Sequence, residues 1–543
     1  MSVILGLSGG FIHRAESASV SLIINGKLIF SQEEERINRI KNSRGLMPTY
    51  AIKEALNFSR IKIKDVDYVA YSFFYPKLKK KIEKYFQFNF GYCPKLIFVD
   101  HHTSHAYSAY FPSKFKKSNI ITFDYSGNGI STTISCGIGN SIKRLKVFKK
   151  PNSLGIFYGL LTQALGFELD NDEYKVMGLA SYGKPIYNFD NILKIKKNGY
   201  ILNKEILSTA ERNKKTSLSL TRQEPFYSNY FLKNLRLKKR MSKNSNSVKK
   251  KNIAASAQRQ LNLAAENLFK FAFNKTGIDN FCLAGGVALN CTMNKHLSNL
   301  NFVKNFYVQP AASDAGCSMG AALFVANSLK EKIIIKENFY LGNRFSSKTI
   351  HNILKNNNLL KSVKKYNHKF IANALAKSKI VAIFQNRHEF GPRALGNRSI
   401  LANPKNISMK RILNKKIKYR EGFRPFAPVV LESDAQKYFD LKKGIDYTSM
   451  TVTCIAKKNI KKKIPSCIHY DNTCRVQVLK PKKNKKLEKI LKEFGKITGD
   501  PVLINTSFNL NKQPNVNTPE DAISTFYSSG IDYLILENFI LCK

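Results

Sequence analysis

Three of the nine histidines, His101, His102 and His105, fall within five residues. A spacing of four puts His101 and His105 on one face of a helix, about 5 to 6 Å apart. That is a metal-ligand spacing, and equally the spacing of a satisfied pair with no ligand role. Asp124 ends the run NIITFD and precedes Ser126-Gly127-Asn128-Gly129, where main-chain N–H groups can approach phosphate oxygens because glycine has no Cβ in the way. A second glycine turn, Gly285-Gly286 in LAGGVALNC, follows another strand-like run, and Asp314 stands where a helix should begin. This aspartate can cap the first turn or ligate a metal, and position alone favours the cap. Two imidazoles and two carboxylates would suit a divalent iron, manganese or zinc ion.

A second group of side chains has a different chemistry. The stretch FQNRHEFGPRALGNRSILANP and the later KYREGFRPFAP concentrate Arg387, Arg393, Arg398, Lys418, Arg420 and Arg424 among glycines and prolines. Arginines on rigid turns are pre-organised to fork phosphate oxygens, and a lysine adds a point charge. Arg475, Asn505 and Ser507 could complete such an anion pocket. The alternative is that several of these arginines pair with carboxylates such as Glu389 and Glu421 to hold loops.

Both groups need elements to position them. VILGLS and SVSLIINGKLIFSQEE read as strands around an Asn25-Gly26 hairpin turn. KLIFVD runs as a strand into the helical HHTSHAYSAYF, residues 203–252 are polar and irregular, NIAASAQRQLNLAAENLFKFAF is a strong helix, and NFCLAGG is a strand. A small-residue helix, AGCSMGAALFVAN, follows Asp314. The order of Gly6-Leu7-Ser8-Gly9-Gly10, the strand-Asp-Gly turn and the strand-Gly-Gly turn is that of actin-like nucleotide folds. A change of pattern near residues 335–365 marks a junction, after which strands and helices again alternate. We expect an α/β protein of two domains, 1–345 and 346–543. No internal repeat of about 20 to 50 residues is present, which disfavours solenoids and propellers.

Composition narrows the remaining classes. The formal charge of +53 is spread along the chain as lysine, in company with abundant Ile and Asn. That is the signature of compositional bias, so runs such as Lys79-Lys80-Lys81 are expected to be solvated faces. No RNA-recognition signature accompanies the charge, and a nucleic-acid partner is not expected. The nine cysteines are scattered and never spaced as CxxC, which points to reduced thiols and away from a zinc ribbon. There is no run of about 18 apolar residues, as a membrane span needs, and a cytoplasmic location is expected.

The segments EEERINRIKN, DHHTSHAYSAYF, SLGIFYGLLTQALGF, EYKVMGLASYGKP, NIAASAQRQL, LAGGVALNC, SDAGCSMGAAL, FGPRALGNRSILANP, REGFRPFAP and NTSFN together resemble the NodU/TobZ-type O-carbamoyltransferase family across nearly the whole chain. The resemblance implies a TsaD-like first domain of the actin/Hsp70-like (ASKHA) superfamily and a mixed α/β YrdC-like second domain. It implies an enzyme that forms carbamoyl-adenylate from carbamoyl phosphate and ATP, then transfers the carbamoyl group to a hydroxyl of a small molecule or glycan. It further implies metal ligands at His101, His105, Asp124 and Asp314, Fe(II) as the metal and Mg(II) with ATP. Gly127, Gly285 and Gly286 would lie near the nucleotide. Arg393, Lys418, Arg424, Arg475, Asn505 and Ser507 would bind carbamoyl phosphate or nucleotide, with Lys418 and Arg424 acting in catalysis. Where the family reads His-Asp followed by small residues, this chain has His13-Arg14-Ala15-Glu16-Ser17-Ala18; His13 is the candidate general base. The competing readings are a tRNA threonylcarbamoyl-transfer protein and a non-catalytic nucleotide-dependent binding protein. A homodimer is compatible with all three.

Overall fold

The structure, a computed structural model, describes residues 2–11, 17–208, 225–336 and 338–543. His13 lies outside the described residues. The chain is mixed α/β and gathers into two compact units: residues 1–99, 314–442 and 446–543 form the first, and 100–313 with 443–445 the second. This division falls at residues 99 and 313, whereas the sequence pattern suggested a junction at 345.

The first unit opens with a sheet in the order Lys27–Glu33, Ser19–Ile24, Val3–Ser8, Tyr68–Tyr71, Lys95–Phe98. The first three strands are antiparallel and the last two parallel to Val3–Ser8. The expected hairpin is present. Asn25 and Gly26 both have positive φ (52° and 71°), as the tight turn that matches strand twist requires. One face packs Leu5, Val20, Leu22, Phe30 and Tyr71 together with Ile52 of the helix Thr49–Ser59. Against the sheet also lies the helix Ala315–Ser328, whose small residues allow close approach. Ser318 contacts Gly6 so closely that a Cβ there would strike its carbonyl oxygen, and the Ser19 hydroxyl donates to Ala315 O at 2.8 Å.

The C-terminal part of the same unit is an eight-stranded mixed sheet in the order Val363–Lys365, Phe539–Cys542, Tyr533–Leu536, Val381–Phe384, Arg398–Ala402, Val502–Ser507, Ala427–Leu431, Gln477–Leu479. Helices His368–Ala376 and Lys485–Thr498 pack Ile371, Leu375, Leu487, Ile490 and Phe494 onto it. A surface sheet of three short strands, Phe439–Asp440, Cys454–Ala456 and Thr473–Cys474, completes the unit.

Buried charge joins these parts. Arg36, 5% exposed, donates to Gly391 O at 2.9 Å and sits 3.1 Å from Glu35, while Glu33 accepts the Gly391 N–H at 2.9 Å. Burial works to lower the Arg36 guanidinium, but Glu33 and Glu35 outweigh it and hold the group above its ordinary value. Arg39 donates to Asn515 O (2.6 Å) and Pro514 O (3.0 Å). Gln32 donates to Asn517 Oδ1 (2.9 Å) and accepts from Asn343 N (2.8 Å). The EEERINR stretch thus ties the N-terminal hairpin to the C-terminal loops.

The second unit repeats the first sheet's plan. Its order is Asn305–Val308, Asn280–Ala284, Lys117–Gly127, Ile130–Ile138, Ser141–Lys149, with three consecutive antiparallel strands followed by two parallel ones. With strands numbered within each sheet, both run 3-2-1-4-5. The strong helix spans Val248–Thr276, beginning four residues earlier than its pattern suggested because Ser247 caps it through Lys250 N. No described helix is long and apolar enough to cross a membrane.

Removing the Arg36 guanidinium leaves the buried Glu33 without its cationic partner, while Glu35 keeps Lys41 at 2.9 Å, so Arg36→Ala should lower the unfolding free energy by about 3 kcal/mol in urea titration. Glu34 is pushed up to about 7 from an ordinary 4.5, by burial, with the Ala51 and Tyr50 N–H groups opposing. The folded state therefore keeps this proton to higher pH than the unfolded chain does. Its contribution is fully present below pH 4.5 and lost as pH rises through about 7. Glu34→Gln should flatten stability over that window in pH-dependent unfolding.

Candidate active site

The helix His101–Ser113 begins where the strand Lys95–Phe98 has ended, and Asp100 caps it by accepting from Thr103 N at 2.8 Å. Its rotation is fixed by His102. That imidazole is fully buried, with Nε2 3.0 Å from Ile130 O and Nδ1 2.6 Å from the Thr122 hydroxyl. A carbonyl only accepts, so Nε2 carries the proton and Nδ1 accepts from Thr122. Burial, with His101 next, pushes His102 down to about 3, and it serves as a neutral structural pin.

With His102 turned away, His101 and His105 face Asp124. His101 Nε2 is 2.9 Å from Asp124 Oδ2, His105 Nε2 is 3.1 Å from His101 Nε2, and His105 Nε2 is 3.8 Å from Asp124 Oδ2. Both rings are completely buried and Asp124 nearly so. Burial works to raise the Asp124 carboxyl, but the two histidines against it prevail and hold it well below the usual carboxylate range. Two nitrogens and an ionised oxygen, converging within 3.8 Å, fit a divalent transition metal. Asp314, at the head of the helix Ala315–Ser328, makes no capping bond through its side chain, so the capping alternative is not realised.

The expected glycines have a packing role here. A Cβ at Gly127 would run into the His101 ring. Gly285 has φ +94° and abuts the Phe123 carbonyl, and the Gly286 N–H is 3.4 Å from Asp124 Oδ1. Two residues that sequence reasoning missed finish the cradle. Ser153 caps the helix Leu154–Ala164 while donating to Asp124 O and Tyr125 O, each at 2.9 Å. Gly155 lies so close to Asp124 and Tyr125 that a side chain would collide with their backbone. The Ser-Leu-Gly at the start of that helix was the available signal.

In the first unit, Lys418 is 4% exposed and donates to Asn509 Oδ1 (2.8 Å), Asn509 O (3.1 Å) and Ser507 Oγ (3.2 Å). Burial, reinforced by Arg420 and Arg424, holds its ammonium well below the ordinary lysine value. Asn505 donates to Gln477 Oε1 (2.6 Å) and Ala394 O (3.1 Å), which pins the loop carrying Arg393, and its own Oδ1 is buried without a hydrogen-bond partner among the described residues. The Nε of Arg475 is likewise buried and unsatisfied. Arg424 lies 3.8 Å from Glu421.

Arg387 and Arg398 serve the fold. Arg387 donates to Gly342 O and Ile29 O, both at 2.9 Å, and stacks on Phe58 at 4.4 Å. Arg398 is fully buried over Phe384 at 3.6 Å and donates to main-chain carbonyls. Loop holding is thus real, but these two arginines do it through carbonyls. Glu389 organises the loop by another route, accepting from Leu395 N (2.8 Å), Asn397 N (2.8 Å) and Arg398 N (3.2 Å).

Residues 71–323 match the family model described as Carbamoyltransferase N-terminus, and residues 372–543 match Carbamoyltransferase C-terminus. An uncharacterized protein of Synechocystis is 33% identical over 614 residues, covering 100% of this chain and 97% of the relative. This chain belongs to the carbamoyltransferase family. Nodulation protein NolNO of Sinorhizobium fredii is 31% identical, covering 99% of this chain and 82% of its own length, and nodulation protein NolO of Bradyrhizobium diazoefficiens is 33% identical over 82% and 79%. Among solved structures, full-length HypF in its phosphate- and nucleotide-bound form overlaps 61% of this chain at 16% identity, with a TM-score of 0.39, a likeness too partial to argue from.

The enzyme is therefore a carbamoyltransferase, and its buried trio depends on close backbone packing. Gly285→Ala would both strain a positive φ and drive a Cβ into Phe123. It should lower the carbamoyltransferase's unfolding free energy by about 2 kcal/mol or more, measured by urea titration.

Proposed function

We propose that this carbamoyltransferase makes carbamoyl-adenylate from carbamoyl phosphate and ATP and passes the carbamoyl group to a hydroxyl of a sugar or other small acceptor. The observation that carries this reading is the convergence of His101, His105 and Asp124 within 3.8 Å, in a chain whose other unit buries Lys418 beside Ser507 and Asn509. The repeated 3-2-1-4-5 sheet supports an actin/Hsp70-like, TsaD-like transfer domain in 1–345. The mixed eight-stranded sheet supports a YrdC-like activating domain in 346–543.

In the first step, water converts carbamoyl phosphate to carbamate and phosphate. A carbamate oxygen then attacks the α-phosphorus of ATP, and the bond to the β-phosphate oxygen breaks to release pyrophosphate. Arg393, Arg424 and Arg475 would stabilise charge developing on phosphoryl oxygens, with Lys418 as a further catalytic hydrogen-bond donor and Asn505 and Ser507 supplying polar contacts. In the second step the acceptor oxygen attacks the carbamoyl carbon, its proton is removed, and AMP leaves. His13 is proposed to take that proton. His101, His105 and Asp124 would hold a divalent metal, Fe(II) by the family resemblance, and Asp314 keeps the ligand role that resemblance implies. Bound there, the metal would supply a Lewis acid to the transfer step. Gly127, Gly285 and Gly286 would lie near the nucleotide, with Mg(II) accompanying ATP.

The two steps can be separated. Arg424→Ala should reduce carbamoyl-phosphate-dependent ATP–pyrophosphate exchange by about a hundredfold or more, whereas His105→Ala should lose metal by elemental analysis and keep the exchange. Equal loss of exchange in both variants would contradict this division of labour, and exchange that depends on threonine in place of carbamoyl phosphate would point to threonylcarbamoyl transfer.

A further inference from the structure

The small surface sheet of the first unit brings together two cysteines that stand 20 residues apart in the chain. Cys454, on the strand Cys454–Ala456, lies directly opposite Cys474, on the antiparallel strand Thr473–Cys474. Their Sγ atoms are 3.5 Å apart. Both side chains are turned inward, 2% and 0% exposed, while Ile455 between Cys454 and Ala456 is 44% exposed. The alternation of a strand with one solvated face therefore places the two thiols side by side on the inner face.

Directly opposed residues on antiparallel strands have Cα atoms about 4.5 to 5.5 Å apart, inside the span of about 4.4 to 6.8 Å that a disulfide bridges. Closing the sulfur gap to a bond of about 2.05 Å is within reach of side-chain rotation. The strands are two and three residues long, so few ladder bonds need to open for a reagent to enter.

We propose that Cys454 and Cys474 are a modification site that closes into a reversible cross-strand disulfide when the protein meets a low-molecular-weight disulfide. One cysteine, as thiolate, attacks a sulfur of the reagent, forming a mixed disulfide and expelling one reagent thiol. The second cysteine, giving up its proton, then attacks the protein sulfur of that mixed disulfide and expels the other reagent thiol. Two electrons and two protons pass from the protein to the reagent. The new bond fastens the strand immediately ahead of Arg475. This inference stands on the sheet register alone and does not depend on the proposed reaction.

The test uses the full chain, oxidised under native conditions with oxidised glutathione, then alkylated in denaturant and digested with trypsin. The expected product joins residues 444–457 to residues 464–475, lighter by about 2 Da than the two thiol peptides together, and dithiothreitol reverses it. The second peptide also contains Cys467, so fragmentation must place the bond on Cys474. Cys467→Ser should retain the cross-link, and Cys454→Ser or Cys474→Ser should abolish it. Glutathione added to Cys93 or Cys136 while Cys454 and Cys474 are recovered alkylated, or a bond placed on Cys467, overturns the proposal. The wild-type digest answers the question even where a variant folds poorly.

Discussion

Arg36 holds a positive charge where water barely reaches, and the first unit is arranged so that this charge stays compensated. Taking a guanidinium out of water costs several kcal/mol, repaid only by good geometry and enough acceptors. Glu33, Glu35 and the Gly391 carbonyl supply them. Because Gly391 belongs to the loop that leads to Arg393, compensating the charge also fixes the start of that loop against the N-terminal hairpin. Glu389 fixes its far end through three main-chain amides. A buried electrostatic requirement near the N-terminus thus becomes positional accuracy in a loop more than 350 residues away in sequence.

The second unit relies on close packing more than on charge. Its buried trio sits where a helix crosses the end of a strand, and each approach is made possible by a missing side chain: Gly127 beneath His101, Gly155 beside Asp124 and Tyr125, Gly285 against Phe123. Three imidazoles in five residues would be ambiguous ligands in an open loop. Here Thr122 and Ile130 engage the middle one, and the helix can then present only His101 and His105 to Asp124. The neutral state of His102 and the ionised state of Asp124 have related causes: burial alone disfavours both charges, and only Asp124 has partners that reverse the effect.

Much of this was legible in the sequence because it is local. The Asn25-Gly26 hairpin, the helix that carries the histidines at i and i+4, and the small-residue helix after Asp314 all follow from turn chemistry, periodicity and side-chain size. The density of arginines among glycines and prolines marked the C-terminal loops as special. The same local signals could not say which arginine does what. Arg387, Arg393 and Arg398 stand in one short stretch and look alike, yet Arg387 and Arg398 are spent on carbonyls and aromatic rings.

What the sequence by itself determined is the family, the α/β character and the residue types of the two candidate sites, since these rest on motifs and patterns within some twenty residues. The tertiary structure alone decided which elements share a unit, that the two five-stranded sheets have one topology, that His102 is a pin, and that Cys454 meets Cys474 despite the absence of any CxxC spacing. The physical reason is common to all four. Each depends on which strands lie side by side and in what register, and a strand's partner is chosen by burial over the whole sheet, a non-local balance to which no single segment has access.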